Sequence, residues 1–210
     1  MPEPSVCAHL LSVIGTARQT FREERALRVT PMTAREQDEY SALRATVRER
    51  GTARVCLFAG GIAAWAAATI ATAALASTPV ATLLPLLLLA AVFEAVFALH
   101  VGVERIGRYI QVFYEADEAG ARWEHAAMAF GRPAGAATSD ALFTVPFLLA
   151  ALFNAAPALI TNPARVELVF IGGAHALFVL RLIVARQAAG KQRAIDLERF
   201  EQLKRGAGPN

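Results

Sequence analysis

Four apolar stretches constrain this chain more than any other feature of its sequence. They are residues 55–77, 83–103, 141–160 and 166–185. The first stretch has no charged residue, and the other three together contain only Glu94, Glu167 and Arg181. A helix of about 20 residues is about 30 Å long, which matches the hydrocarbon core of a bilayer. The sequence therefore predicts an all-α, polytopic membrane protein with four transmembrane helices.

The overall composition supports a membrane protein. Of the 210 residues, 55% are hydrophobic and only 19% are charged, which is too apolar for an ordinary soluble domain. The net charge of +3 is spread beside the apolar stretches and does not form one patch. We therefore expect the bilayer and its anionic headgroups as partners, and no nucleic acid. Arginine far outnumbers lysine and alanine is abundant, which suggests a GC-rich bacterial genome and hence a bacterial inner membrane.

The distribution of Lys and Arg predicts the orientation. The short connections after the first and third stretches hold at most one basic residue, whereas the other polar segments hold several. Such segments remain in the cytoplasm, so both termini are predicted to be cytoplasmic. The predicted organisation is residues 1–54 as cytosolic amphipathic helices, 55–103 and 141–185 as two transmembrane hairpins, 104–140 as a cytosolic helical segment with a linker, and 186–210 as a cytosolic C-terminal helix and tail.

Helical signals continue beyond the apolar stretches. Thr33 and Glu36 have capping-box spacing, which predicts a helix that begins near Ala34, and Gly51 marks a bend in it. From Glu104 to Glu115, polar residues recur with helical spacing opposite an apolar face. A further amphipathic helix is predicted within residues 5–28. The predicted fold is thus a four-helix transmembrane bundle with cytosolic amphipathic helical extensions that pack together.

The third stretch differs from the others because it contains two prolines. Pro146 and Pro157 each lack the amide hydrogen that a helix interior uses. We therefore expect this span to be kinked or locally unwound, with neighbouring helices covering the freed carbonyl groups.

Five polar residues inside the apolar stretches are the main candidates for function: Glu94, His100, Asn154, His175 and Arg181. Glu94 lies about 16 Å into a core of about 30 Å. One interpretation is a buried ion pair of Glu94 with Arg181, or a hydrogen-bond network, that fixes the register of two spans. The other is a path for protons or ions, because ionisable groups inside membranes form such relays.

A second group of candidates is basic and lies beside the apolar stretches. These residues could bind anionic lipid headgroups or a cytosolic partner. The alternative is that their charge only sets the topology. The group is Arg44, Arg48, Arg50, Arg54 and Arg108.

The sequence offers little for catalysis or for a cofactor. His100 and His175 differ in depth by eight residues, about 12 Å, so one haem iron cannot easily take both. Glu115, Glu118, Glu124 and His125 lack the spacing of a di-iron site and are interpreted as a solvated helix face. Neither glycine pair belongs to a phosphate-binding loop, and no nucleophile motif is present. We expect no catalytic residue, no metal and no cofactor.

The sequence is compatible with two functions. The first is a non-enzymatic accessory, scaffold or oligomeric subunit, as a homo-oligomer or as part of a larger membrane complex. Short outer turns, small-residue surfaces and several amphipathic helices favour it. The alternative is a small ion or proton channel or transporter that uses Glu94, His175 and Arg181.

Overall fold

The fold is entirely helical where the structure, a computed structural model, describes the chain. The described residues are 32–75, 78–115, 123–130, 141–160 and 163–206, and they contain no strand. The all-α prediction is therefore confirmed for them, whereas the helix predicted within residues 5–28 lies outside them. The helices are α1 (Ala34–Leu75), α2 (Leu83–Phe113), α3 (Trp123–Phe130), α4 (Ala141–Ile160) and α5 (Arg165–Gly206), with a 3-10 turn at Pro79–Thr82.

The predicted capping box begins α1. The Thr33 amide donates to Glu36 Oε2 at 2.8 Å, and the Glu36 amide donates to Thr33 Oγ1 at 3.3 Å. The hydrogen bonds from the Thr33 amide and hydroxyl lower the pKa of the Glu36 carboxyl. The helix then runs for 42 residues and continues through Gly51 without a break.

Three helices each combine an apolar part with a polar part. We call residues 55–75, 83–103, 144–160 and 166–185 the apolar half, and residues 34–54, 104–115, 123–130 and 186–206 the polar half. Helices α1 and α5, together with the segment from Pro79 to the end of α2, are long and apolar enough to cross a membrane. Helix α4 has 20 residues, and its residues 144–160 belong to the apolar half.

Helix α2 is the centre of the bundle. It packs against both α1 and α5, and α4 contacts both α2 and α5. Phe93 of α2 makes edge-to-face contacts with Phe147 of α4 at 5.2 Å and with Phe178 of α5 at 6.2 Å between ring centroids. Leu89 and Val96, at helical spacing from Phe93, are buried on the same core.

Helix α4 is continuous through both of its prolines. The predicted local unwinding is therefore absent from residues 141–160, while a kink stays a prediction. Each proline removes one helical hydrogen bond, but a helix that packs on its neighbours tolerates that loss.

The polar half is also a packed bundle. Tyr109 of α2 contacts Phe200 of α5 at 5.5 Å, and Tyr40 of α1 contacts Tyr114 at 5.5 Å between ring centroids. Lys204 donates to the Val112 carbonyl at 2.8 Å and so satisfies one of the open carbonyls at the end of α2. The extensions of α1, α2 and α5 therefore pack together as the sequence predicted.

Candidate functional site

The five polar residues predicted in the apolar half do not form one group. The structure divides them among three clusters at different levels along the bundle. Asn154 and His175 form the turn cluster beside the Pro79–Thr82 turn, Glu94 and Arg181 form the mid-span pair, and His100 belongs to the boundary cluster where the apolar and polar halves meet.

The turn cluster is centred on the side chain of Asn154, which is fully buried. Trp65 Nε1 donates to Asn154 Oδ1 at 3.3 Å, and the Thr69 hydroxyl lies 3.5 Å from the same oxygen. Asn154 Nδ2 donates to the Thr82 carbonyl at 2.9 Å and lies 3.3 Å from His175 Nε2. The single hydrogen of the Thr69 hydroxyl goes to the closer Trp65 carbonyl, at 2.9 Å. One amide thereby joins α1, the turn, α4 and α5 through three hydrogen bonds.

The hydrogen bonds of His175 define its protonation. Its Nδ1 lies 2.8 Å from the Ile171 carbonyl, which can only accept, so Nδ1 carries the hydrogen. Its Nε2 then accepts from Asn154, and the imidazole is neutral. Because an amide does not titrate, the bond between Asn154 and His175 fixes geometry and does not relay a proton.

The mid-span pair is bidentate. Arg181 Nε lies 2.7 Å from Glu94 Oε1, and Nη2 donates to Oε2 at 2.7 Å. The guanidinium also lies over the Phe97 ring, 5.6 Å from its centroid. The side chains of Glu94 and Arg181 are 46% and 42% exposed, respectively. The pairing agrees with the sequence-based interpretation, but the pair lies on the outside of the bundle and not in its core.

The boundary cluster links α1, α2 and α5. Arg54 Nη1 lies 3.1 Å from His100 Nδ1, and because a guanidinium only donates, Nδ1 is the acceptor. His100 Nε2 then faces Glu104 at 3.7 Å. Arg193 of α5 donates to the second oxygen of Glu104. Nearby, Arg105 Nε donates to Asp196 Oδ2 at 3.2 Å and adds a second bridge between α2 and α5.

Glu115, in the polar half, corrects one interpretation made from the sequence. Its side chain is 1% exposed and not solvated. One of its oxygens accepts from the Glu124 amide at 2.8 Å and from the His125 amide at 3.3 Å, so it caps the N-terminus of α3. Arg44 bridges Glu115 at 3.5 Å and Glu124 at 2.8 Å. The residues joined by these hydrogen bonds are nine and ten positions apart, so helical spacing in the sequence does not predict the contact.

The five basic candidates have different surroundings. Arg44 and Arg54 bond within the bundle, as described, and the buried Arg108 donates to Gln111 Oε1 at 2.8 Å. Arg48 and Arg50 are exposed at the end of the polar half nearest the apolar half. Contact with lipid headgroups stays a prediction, and these two side chains are the best placed for it.

Two tyrosines of the polar half have a raised pKa. Burial raises the pKa of the Tyr109 phenol, and its hydrogen bond to Glu39 Oε1 at 2.8 Å raises that pKa further. Burial and the Glu39 carboxylate also raise the pKa of Tyr114. A phenol that loses its proton less readily in the folded state stabilises that state as long as it keeps the proton.

The free energy of unfolding is therefore expected to fall as the pH rises above about 10, where unfolded tyrosine ionises first. Phenolate absorbance of the folded protein should lag behind that of the unfolded protein in an alkaline titration. Glu39→Gln should reduce the lag, whereas Glu49→Gln, an exposed acid on the same helix, should leave it unchanged. Equal titration of the folded and unfolded proteins would contradict the assignment.

The apolar half of the bundle contains a cavity. This cavity of about 40 Å³ lies between α2, α4 and α5, lined mainly by Phe93, Phe97, Phe147 and Leu182. Its volume suits a water molecule and not a cofactor. Within the described residues, no three His, Cys, Asp or Glu side chains are arranged to hold a metal ion. That the protein needs neither metal nor cofactor stays a prediction.

Comparison of the chain with known protein families, characterised proteins and solved structures finds no match. Its function therefore has to be inferred from the arrangement of its own residues.

Proposed function

We propose that this chain is a non-enzymatic integral membrane protein of a bacterial inner membrane that acts as an accessory, scaffold or oligomeric subunit. In this proposal the apolar half crosses the bilayer four times and both termini are cytoplasmic. Three long apolar helices support the membrane placement. So do large apolar side chains exposed around the apolar half, such as Leu75 at 86%, Ile160 at 80% and Val169 at 73%.

Helix α4 is the fourth span in this proposal. Its 20 residues correspond to about 30 Å of helix, enough for one crossing. An even number of spans also keeps the polar extensions of α1, α2 and α5 on one side, where the structure packs them together. The exposed Arg48 and Arg50 then lie at the cytoplasmic surface, where anionic headgroups would neutralise them.

The observation that carries the proposed role is the separation of the polar residues into clusters that hold helices together. The turn cluster joins four elements through Asn154, and the boundary cluster joins three helices. Among the described residues, no hydrogen bond links Asn154 or His175 to the mid-span pair. Conduction needs a continuous series of polar groups or water, so this arrangement favours a structural role.

Purification of the full-length tagged chain from native membranes in a mild detergent tests the proposed role. We expect a defined set of membrane proteins to accompany it at constant stoichiometry. Arg48→Gln with Arg50→Gln should weaken retention by anionic vesicles without changing that set. A chain that purifies alone and conducts ions after reconstitution would contradict the proposal.

One observation favours the alternative, a small ion or proton conductor. The mid-span pair is half exposed on the outside of the bundle, so a path could run between copies of the chain. In that case Glu94→Gln abolishes flux in reconstituted vesicles while the fold stays intact.

Under the structural role, Glu94→Gln leaves the Arg181 cation without its carboxylate. The free energy of unfolding should fall by about 1–2 kcal/mol, less than the ~3–5 kcal/mol of a broken buried pair, because the site is half exposed. Adding Arg181→Gln should restore part of the loss, and proton flux should equal that of empty vesicles. Thermal unfolding and a pH-sensitive dye in the vesicles measure both quantities, with Glu167→Gln as the control.

A further inference from the structure

The mid-span pair lies at an unusual depth for exposed charge. Glu94 is eleven residues beyond Leu83, which places it about 16 Å into the apolar half. Roughly half of each charged side chain faces outward. If the apolar half crosses a bilayer, as proposed above, these charges face the middle of the hydrocarbon, where exposed ionisable groups are costly.

The pair also retains unused hydrogen-bonding capacity. Arg181 directs two of its five N–H groups at Glu94, so three remain. Within the described part of the chain, no second acceptor lies within hydrogen-bonding distance of this guanidinium. Each Glu94 oxygen likewise has room for another donor. Acyl chains can satisfy none of these groups, so a polar surface has to cover the pair.

We propose that a second copy of this chain covers it, in a dimer whose twofold axis runs along the membrane normal and passes beside the mid-span pair. The inference rests on the proposed membrane placement. Under that symmetry, Glu94 of one copy faces Arg181 of the other at the same depth. The four groups form a neutral ring of alternating charge, in which each carboxylate lies between two guanidinium groups.

The surface around the mid-span pair allows the helices of a second copy to approach closely. Ala91 and Ala98, about one turn on either side of Glu94 along α2, are exposed and small. On α5, the exposed Leu177 and Val184 flank Arg181. Small residues let two helix backbones approach within a membrane, and apolar side chains beside them exclude lipid.

A second copy fits this face better than other occupants. A lipid headgroup carries its charge at the membrane surface, about 15 Å from the pair. A helix of a different protein would need an acidic and a basic residue at the depth of the mid-span pair, with the base opposite Glu94 and the acid opposite Arg181. The twofold operation supplies that complementary pattern from the same residues.

Subunit counting in vesicles tests the dimer. We expect two photobleaching steps per particle for full-length chain labelled at one site and reconstituted at a low protein-to-lipid ratio. Ala98→Phe should weaken association at least tenfold, because a bulky ring would separate the two copies. Ala63→Phe, the same change at an exposed position of α1, should have no effect. Single steps for the parent chain, or equal effects of both variants, would overturn the proposal.

A charge exchange tests the ring itself. The variant E94R/R181E keeps an ion pair within each copy and keeps the face self-complementary, so it should dimerise with itself. Mixed with the parent chain, it places like charges opposite each other, so two-colour dimers should be at least tenfold rarer than expected for random mixing. Random mixing would overturn the twofold ring. All these measurements use the purified chain alone, so their failure would leave the accessory role, which co-purification tests, unaffected.

Discussion

Gly61→Ala is expected to lower the free energy of unfolding by about 1–3 kcal/mol, the usual cost of an overpacked contact. Helices α1 and α2 cross so closely at Gly61 that an added Cβ would lie 2.6 Å from Val92 Cγ2 and closer still to Cγ1. A β-branched side chain within a helix has little freedom to turn away. The two helices would therefore have to separate along a contact that includes the central helix of the bundle.

The neighbouring glycine is a matched control for this prediction. A Cβ at Gly60 would meet nothing within 4 Å, so Gly60→Ala should be neutral or stabilising by up to about 1 kcal/mol, as for glycine in other helices. Val92→Ala should restore part of the stability of Gly61→Ala, since it removes the two clashing methyl groups. Unfolding by denaturing detergent, followed by circular dichroism, compares the four proteins. Equal stability of the two glycine variants would show that the helices do not approach as described.

Asn154→Leu is expected to destabilise the bundle by about 2–4 kcal/mol, since each buried polar group left without a partner costs about 1–3 kcal/mol. Leucine has a similar volume, so packing changes little. The change removes the acceptor of Trp65 Nε1–H and one of the donors to the Thr82 carbonyl. It also leaves His175 Nε2 without its donor.

Phe153→Leu provides the control on the same helix, because Phe153 is 67% exposed and should tolerate the change. His175→Leu combined with Asn154→Leu should cost less than the sum of the two single changes, since both remove the same hydrogen bond. Trp65 fluorescence should also change in Asn154→Leu, because the indole N–H loses its acceptor. Additive effects with unchanged fluorescence would show that Asn154 is not the centre of the network.

The sequence was sufficient to predict features that depend on where a residue lies along a helix. Apolar runs located α1, α2, α4 and α5, and the spacing of Thr33 and Glu36 located the first residue of α1. The depths of Glu94 and Arg181 also allowed the two side chains to pair, which was one of two interpretations of these residues. The structure shows the pair, but not the burial that this interpretation expected.

Rotation about the helix axis was not predictable in the same way. In an apolar span nearly every face is hydrophobic, so periodicity does not show which face points inward. The exposure of the mid-span pair and the burial of Asn154 both depend on that rotation. The role of Trp65 as a partner of Asn154 was not predicted for the same reason. The indole itself was a usable signal, because a buried indole N–H usually finds a hydrogen-bond acceptor.

The connections of Asn154 also determine the order in which the native bundle can be completed. Its partners come from positions 65, 82 and 175, before and after it in the chain. During synthesis, α1 and α2 are finished while the indole of Trp65 and the Thr82 carbonyl still lack their final partner. The first hairpin therefore has to be held in another way until α4 has emerged, and the network is complete only when α5 adds His175.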